Sequence, residues 1–170
     1  QTAELTTQVG IRVNNRMQTS DPDIYAAGDA AQAEELYTRS FVVNAVQPNA
    51  VEQARVAATN MAGGDTTSPG AFAMNVLDTL GLIAASFGQW QGVPGGESVE
   101  RVDEQDYRYI GLQFDGDRLI GATTLGLTDH VGVLRGLIQS GRPLKSWKSA
   151  LQKDPLDVMR AYLATVQAAA

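Results

Sequence analysis

The first 30 positions alternate between short apolar runs and clusters of turn-forming residues. Residues 10–13 predict a short strand, and the cluster Thr-Ser-Asp-Pro at residues 19–22 is a strong turn signal. The apolar run at residues 24–27 is typical of a buried strand, and its two apolar faces favour a place in a parallel sheet. The run ends in Gly28 and Asp29, so the pattern places a glycine and an acid at the carboxyl end of a strand.

A helix is predicted after the pair Gln47-Pro48. Proline suits the first helical turn because the N–H that it lacks would have no partner there. The pair Gly63-Gly64 is expected to end the helix, since glycine readily adopts the conformation found past helix ends. Residues 63–70 are rich in Gly, Thr and Ser and predict a boundary loop. The apolar residues that recur at helical spacing, and are expected to face the core, are Val51, Ala54, Ala58 and Met61.

Beyond this loop, four apolar runs predict antiparallel strands. The last two runs flank Asp115-Gly116, which predicts a β-hairpin with a type I′ turn, because that turn requires positive φ angles. Residues 93–104 are rich first in Gly and then in acids, and they predict a surface turn. The four predicted strands are residues 71–77, 80–87, 107–114 and 119–125.

Two further helices are predicted towards the C-terminus. Asp129 is expected to cap the first of them and Gly141 to end it. The second is expected to begin at Asp154-Pro155, which combines a capping residue with a proline in the first turn. The apolar stripe of the first helix is Val133, Leu134, Leu137 and Ile138. The stripe of the second is Leu156, Met159, Leu163 and Val166.

The order of these elements predicts an α+β fold in two parts. A length of 170 residues, of which 44% are hydrophobic, is enough for two small domains. Residues 1–64 are interpreted as the tail of an α/β domain, and residues 65–170 as a small domain with an antiparallel sheet and helices. Because the sequence starts at Gln1 rather than at Met, we expect a truncated sequence that continues a longer protein.

Composition and charge argue against several classes of function. The net charge is −6 and no long basic run is present, so nucleic acid is not an expected partner. The chain has no cysteines, which excludes disulfides and thiolate metal sites within it. No apolar run approaches the roughly 18 residues of a membrane span. We therefore expect a cytoplasmic protein without membrane contact.

Several polar and aromatic residues favour structural roles. His130 is the only His, so it indicates neither a metal site nor a catalytic triad, and a role at a helix entry is favoured. Trp90 and Trp147 are expected to pack rather than to hold a substrate. The densest cationic stretch consists of Arg142, Lys145, Lys148 and Lys153. We interpret it as the solvated surface of a helix, in preference to a docking patch for an acidic protein.

The chemistry-bearing candidates are the residues around Gly28 and Asp29. Glycine has no Cβ and lets a ligand approach the backbone closely. An ionised Asp29 offers two oxygens that only accept hydrogen bonds, and the hydroxyls of a sugar-like group are suitable donors. Ligands in open α/β sheets bind at the carboxyl ends of strands. An ordinary turn capped by Asp29 is an equally good interpretation of the spacing alone.

The run at residues 19–29, T-S-D-P-D-I-Y-A-A-G-D, closely resembles the second FAD-binding motif of the pyridine nucleotide-disulfide oxidoreductases. The resemblance implies that Asp29 contacts the ribityl chain of FAD and that Gly28 allows its close approach. It also implies that Ala27 lines the same wall. The first part of the chain would then be the remnant of an FAD-binding domain.

The helix opening at residues 46–50, V-Q-P-N-A, resembles the helix that follows this motif in the same family. There the helix N-terminus points at the flavin pyrimidine ring, where its partial positive charge suits the negative charge of reduced flavin. The resemblance implies that Gln47, Pro48 and Asn49 take this position. A plain helix start remains an equal alternative.

Residues 72–144 resemble the C-terminal domain of NADH–rubredoxin reductases and related nitrite reductase subunits. The segments that carry this resemblance are Y-R-Y-I-G-L-Q-F-D-G-D-R-L-I-G-A and G-L-I-Q-S-G-R-P-L. It implies an FAD-dependent NAD(P)H oxidoreductase that passes electrons to a rubredoxin-like protein, a nitrite reductase centre or oxygen. The family's G-x-G-x-x-G loops are missing, so we expect this chain alone to be inactive.

An interaction or dimerisation domain without a cofactor of its own is the alternative hypothesis. The hairpin predicted at residues 107–125 would then offer its edge to a partner. A homo-oligomer is compatible with either hypothesis.

Overall fold

The computed structural model describes residues 3–165, and the chain forms two compact units. The first unit ends at Phe72 and the second begins at Ala73. The predicted boundary loop at residues 63–70 has no regular structure, but it is tied to the first unit. Within that loop Asp65 forms an ion pair with Arg16. The predicted α+β fold class is confirmed.

A three-stranded sheet and one long helix make up the N-terminal unit. The strands are β1 (Ile11–Arg12), β2 (Ala31–Glu34) and β3 (Phe41–Val42), and the helix is α1 (Gln47–Met61). The central strand β2 is parallel to β1 and antiparallel to β3. The strand predicted at residues 10–13 is confirmed by β1. Neither β2 nor β3 was predicted, because four and two residues are too few for a two-residue period to be distinguished from loop sequence.

The prediction of a buried strand at residues 24–27 is wrong. This segment is extended but only half-buried, and its one bridge joins Tyr25 to Gln18. A strand needs a continuous ladder of hydrogen bonds, and no described strand supplies one here. Asp29 therefore does not end a strand. It lies in a single 3-10 turn, Gly28–Ala30, which leads directly into β2.

The predicted helix α1 is confirmed, but its predicted buried face is wrong. All four residues of the predicted apolar stripe are exposed, with Val51 at 43% and Met61 at 68% exposure. The face that turns inwards carries amides because their hydrogen bonds to nearby backbone offset the cost of burying them. The buried residues of α1 are Asn49, Gln53, Val56, Ala57 and Asn60. Val56 and Ala57 join the small core of the unit, with Val13, Met17, Ala31 and Ala33.

A five-stranded antiparallel sheet is the centre of the C-terminal unit, in the order β4-β5-β8-β7-β6. The four strands predicted in this region are confirmed, with small shifts at their ends. The strand bounds are β4 (Met74–Thr79), β5 (Leu82–Gly88), β6 (Glu97–Asp103), β7 (Arg108–Asp115) and β8 (Arg118–Leu125).

The prediction of a surface turn at residues 93–104 is wrong, because most of this stretch is strand β6. Its side chains are almost all exposed, and it lies at one edge of the sheet. An edge strand with both faces near solvent needs no apolar face, and charges on it discourage unwanted pairing. The sequence of β6 therefore lacks the apolar pattern from which a strand is predicted.

The hairpin between β7 and β8 is confirmed, but two expectations about it are wrong. Its two-residue turn is Gly116–Asp117, and only Gly116 has a positive φ, of +54°, so the turn is not type I′. The expected free edge does not exist either, because β7 and β8 each have neighbours on both sides. The free edges of the sheet belong to β4 and β6.

Three helices complete the C-terminal unit: α2 (Val131–Ser140), α3 (Ser146–Lys153) and α4 (Val158–Thr165). In α2 the burial of Leu134, Leu137 and Ile138 is as predicted, and Gly141 ends the helix with a φ of +57°. The expected cap Asp129 is wrong. His130 stands at the N-cap with no capping bond from its side chain, which agrees with a helix-entry role.

The predicted start of the last helix at Asp154-Pro155 is wrong, because residues 154–157 form a turn and α4 begins at Val158. An oxygen of the Asp154 carboxylate accepts the Leu156 N–H at 3.1 Å, so Asp154 stabilises that turn instead. The buried residues of α4 are Val158 and Ala161, whereas Leu156 and Leu163 are exposed. Val166, the last residue of the predicted stripe, lies outside the described residues.

The bounds of helix α3 were not predicted, although the cationic stretch was assigned to a helix surface. The helix is anchored to strand β6. Lys148 forms an ion pair with Glu97, and Gln152 donates a hydrogen bond to the same carboxylate at 2.8 Å. The hydrogen bond from Lys148 is the main cause that lowers the pKa of Glu97. Three of the four residues of the cationic stretch are exposed, as predicted for a solvated surface, but Lys148 is not.

Residues 3–165 contain no helix that is both long and apolar enough to cross a membrane. The same residues hold no cluster of three or more His, Cys, Asp or Glu side chains able to bind a metal ion.

Candidate functional site

The turn at Gly28–Ala30 is the centre of the candidate site. Ala27 is extended, with φ of −149° and ψ of 160°, and Gly28 follows with φ of +76°. Only glycine adopts this left-handed conformation at low cost. The chain therefore turns sharply at Gly28 and presents Asp29 at the surface.

The turn lies directly against the first part of α1. A Cβ added to Gly28 would lie 3.4 Å from the Cβ of Ala50, so the two backbones approach closely. The Gly28 N–H donates a hydrogen bond to Oε1 of Gln53 at 2.8 Å. The structure thus brings together the glycine-acid turn and the helix opening, which the sequence analysis singled out separately.

The Asp29 side chain is exposed. Within the part of the chain that the structure describes, its carboxylate makes no hydrogen bond and no ion pair, and it does not cap the turn. The alternative of an ordinary capping aspartate therefore has no support in the geometry. The carboxylate is free to accept hydrogen bonds from another molecule.

The N-terminus of α1 carries positive potential that its own first turn does not neutralise. The N-cap residue is Val46, which has no side chain able to cap, and the first turn contains no acid. Pro48 lies in this turn and Gln47 is exposed beside it. A helix start of this kind has unpaired N–H groups and a partial positive charge, which suit an anionic or electron-rich group.

The side chain of Asn49 is engaged inside the unit. Its Nδ2 donates to the Phe72 carbonyl at 3.0 Å, and its Oδ1 accepts the Phe72 N–H at 3.1 Å. Asn49 is also only 3% exposed. Of the three residues singled out at the helix opening, Gln47 and Pro48 are accessible, whereas Asn49 could offer a ligand only its backbone N–H.

Gln53 is the residue of the site that the sequence analysis missed. It is buried at 4% exposure and holds the Gly28 turn through its amide oxygen. A signal for it exists in the sequence: Asn49, Gln53 and Asn60 are spaced so that they share one helical face. An amide stripe on a helix whose other face is apolar indicates that the amides have backbone partners.

Replacing Gln53 by Leu should destabilise the N-terminal unit by about 1–2 kcal/mol, because the Gly28 N–H loses its acceptor. Thermal unfolding followed by circular dichroism measures the change. Arg55→Leu is the matched control, since it places the same side chain at an exposed position of the same helix. Equal stability of Gln53→Leu and the wild type would show that this bond does not hold the turn.

Three curated relatives cover most of the chain. It is 36% identical over 154 residues to the NADH-dependent phenylglyoxylate dehydrogenase subunit epsilon of Aromatoleum evansii, matching 89% of this chain and 36% of the relative. It is 33% identical over 132 residues to the nitrite reductase (NADH) large subunit of Escherichia coli strain K12, matching 76% and 15%. It is 29% identical over 137 residues to the rubredoxin–NAD(+) reductase of Pseudomonas putida, matching 81% and 35%.

Two solved structures also match most of the chain. The chain matches the covalent putidaredoxin reductase–putidaredoxin complex with a TM-score of 0.78 and 25% identity, over 95% of this chain and 37% of the other. It matches an FAD-dependent pyridine nucleotide-disulphide oxidoreductase from Desulfovibrio vulgaris in fold, with a TM-score of 0.71 and 24% identity, over 95% and 43%. No protein-family model matches the chain.

The resemblance seen in the sequence is confirmed by these relatives, which include a rubredoxin reductase and a nitrite reductase large subunit. The chain spans only 36%, 15% and 35% of the length of the three curated relatives. It is therefore similar to one part of each of these oxidoreductases.

Proposed function

We propose that this chain, which is homologous to part of the FAD-dependent pyridine nucleotide-disulfide oxidoreductases, supplies one wall of the FAD site of an NAD(P)H oxidoreductase. The observation that carries the proposal is the exposed carboxylate of Asp29, which has no partner among the described residues and stands on a left-handed glycine turn beside an uncapped helix. This arrangement suits a ligand that combines hydroxyl donors with an electron-rich ring.

The residues of the site would divide the binding between them. Asp29 would accept hydrogen bonds from the hydroxyls of the ribityl chain. Gly28 and Ala27 would form the wall beside it, where a larger side chain at Gly28 would meet Ala50. The opening of α1, at Gln47 and Pro48, would turn its positive end towards the ring.

When bound, FAD supplies hydride and electron transfer between NAD(P)H and an acceptor. The protein's part is to hold and orient the ligand. Gln53 would act as a positioning residue, because it fixes the Gly28 turn without reaching the surface.

For the acceptor, we propose a small redox protein. The support comes from the relatives: one is a rubredoxin reductase and one solved neighbour is a reductase in complex with putidaredoxin. A nitrite reductase centre and oxygen are the alternative acceptors. The electron donor is NADH or NADPH. A cytoplasmic location stays a prediction. The 170-residue chain alone is expected not to oxidise NADH.

The proposal is tested by replacing Asp29 with Ala in the full-length protein. Loss of a hydrogen bond to a charged group should weaken FAD binding by about 10- to 100-fold. Flavin absorbance of the purified protein and titration of the apoprotein with FAD measure the change.

Asp23→Ala is the matched control, because Asp23 is another exposed acid of the same motif segment. It should leave the affinity for FAD unchanged. A full-length protein that stays colourless in saturating FAD would contradict the proposal and favour an interaction domain. Unchanged binding by Asp29→Ala would remove Asp29 from the site.

A further inference from the structure

A cavity of about 430 Å³ lies on the surface of the C-terminal unit, between residues 142–147 and the end of α4. Its size falls within the roughly 300–1,000 Å³ that is usual for small-molecule sites. The wall of the cavity carries two cations, Arg142 and Lys145, and the indole ring of Trp147. Apolar and uncharged polar residues supply the rest, and no acid among the described residues lines it. The cavity therefore combines positive charge with an apolar surface.

The two cations of the cavity are not neutralised by acidic partners. The chain has 19 acids against 13 Lys and Arg residues, yet neither Arg142 nor Lys145 takes part in an ion pair within residues 3–165. Arg142 donates one long hydrogen bond, of 3.4 Å, to the Thr165 carbonyl, and most of its N–H donors stay available. Both cationic residues are exposed, so an anion can reach their charges.

The backbone that carries these cations is held in place by the turn between β7 and β8. The Leu144 N–H donates to the Asp117 carbonyl at 2.7 Å, and the Lys145 N–H donates to Oδ2 of Asp117 at 2.8 Å. The Leu144 residue is 1% exposed and anchors the segment in the core. A site whose walls are already ordered loses less entropy when a ligand binds.

The ring of Trp147 is held by a cation on the neighbouring helix. The Arg160 guanidinium lies 5.6 Å from the ring centroid, a cation–π contact, and Asp157 forms an ion pair with the same Arg160 at 3.1 Å. Trp147 is only half-buried, and it lines the cavity. A planar ring of a ligand can pack against it, as aromatic side chains pack against each other.

We propose that this cavity binds an aromatic anion, a molecule that joins a planar ring to a carboxylate or a phosphate. The anionic group would lie between Arg142 and Lys145, because a guanidinium forms paired hydrogen bonds with two oxygens and an ammonium adds a point charge. The ring would pack on Trp147. The sequence analysis interpreted the cationic stretch as a solvated surface, since the sequence does not show that two of its members share a cavity with an aromatic ring.

An NMR titration of the 170-residue chain with phenyl phosphate and with benzoate tests the proposal. The chain has two tryptophans, so the indole N–H signal of Trp90 serves as an internal control for that of Trp147. At least one probe should shift the Trp147 signal to saturation, with a Kd below about 1 mM, and leave the Trp90 signal in place. The tighter of the two probes identifies the anionic group that the site prefers.

Control ligands separate the contribution of the ring from that of the charge. Benzyl alcohol carries the ring without the charge, whereas inorganic phosphate and acetate carry the charge without the ring. Each of these should bind at least about tenfold more weakly than the corresponding aromatic anion, because each lacks one half of the interaction.

Two variants test the cations directly. Arg142→Gln and Lys145→Gln should each weaken binding of the aromatic anions by about tenfold, because each removes one charge that meets the anionic group. Lys153→Gln is the matched control, since Lys153 is an exposed cation of the same stretch that does not line the cavity. This variant should bind both probes as the wild type does.

The proposal is overturned if neither aromatic anion shifts the Trp147 signal at about 10 mM, a concentration at which even weak binding is detected. It is equally overturned if Arg142→Gln and Lys145→Gln both bind the probes like the wild type, or if phosphate and acetate bind as tightly as the aromatic anions. Should one variant fail to fold, the other variant and the titration of the wild type decide.

Discussion

Gly121→Ala is expected to destabilise the C-terminal unit by about 3 kcal/mol. A Cβ at this position would lie 2.2 Å from the Gln89 carbonyl oxygen and 2.7 Å from the Trp90 nitrogen. Both atoms belong to the backbone that leaves β5, and backbone cannot swing aside as a flexible side chain can. The hydrogen bond of 2.9 Å from the Gln89 N–H to the Ile120 carbonyl would be disrupted with it.

Urea unfolding followed by tryptophan fluorescence measures this effect. Both tryptophans of the chain, Trp90 and Trp147, lie in the C-terminal unit, so the signal reports that unit alone. Gly132→Ala in α2 is the matched control. Its new Cβ would meet open space, and Ala is favoured over Gly in a helix by up to about 1 kcal/mol, so this variant should gain stability. A Gly121→Ala variant as stable as the wild type would contradict the close approach.

This result bears on how the family motif is interpreted. Gly121 belongs to the L-I-G-A segment that carries the resemblance of the C-terminal part to rubredoxin reductases. In the structure Gly121 pairs with Gly88 on the neighbouring strand. A Cβ added to Gly88 would also lie too close to backbone, 2.2 Å from the Ile120 carbonyl oxygen. The glycine is needed where two backbones meet, and it has no demonstrated contact with a ligand.

Asn49→Leu should destabilise the N-terminal unit by about 2–4 kcal/mol, because it leaves the N–H and the carbonyl of Phe72 buried without partners. The two hydrogen bonds that are lost measure 3.1 and 3.0 Å. Thermal unfolding by circular dichroism and the hydrogen-exchange rate of the Phe72 amide report the loss. Gln47→Ala, in the same helical turn but exposed, should change stability by no more than about 0.5 kcal/mol.

The Asn49→Leu variant also distinguishes a structural role of Asn49 from a ligand-binding role at the helix opening. In the full-length protein, the folded fraction of Asn49→Leu should bind FAD as the wild type does, since its side chain faces Phe72 and not the surface. A variant of normal stability but reduced FAD affinity would give Asn49 a direct role in the site instead.

Local signals in the sequence predicted much of the fold. Pro48 marked the start of α1, Gly141 marked the end of α2, and the alternating runs on either side of residues 115–116 predicted the hairpin of β7 and β8. Each of these signals acts over a few residues, through a fixed φ angle, a missing N–H or a two-residue period. The candidate turn at Gly28 and Asp29 was found in the same way, from a contiguous motif.

The features that sequence analysis missed depend on distant partners. The sequence analysis placed the buried face of α1 on residues that include Val51 and Met61, which are exposed. Three amides on another face of the helix are buried instead, because they bond to backbone groups of Gly28, Phe72 and Arg16, which are more than 20 residues away. Strand β6 was taken for a turn because its charges suit a sheet edge, and the sheet order that makes it an edge is not encoded locally.

The sequence by itself determined the α+β fold class, the glycine-acid motif and the positions of most helices and strands, since these depend on residue type and on spacing over a few residues. Only the tertiary structure decided that Gly28 rests on α1, that Gln53 holds it there and that Asn49 faces inwards. It also decided which strand lies free at the edge of the sheet. The physical reason is that a buried polar group or an edge strand is defined by what lies beside it in space, and such neighbours come from remote parts of the chain.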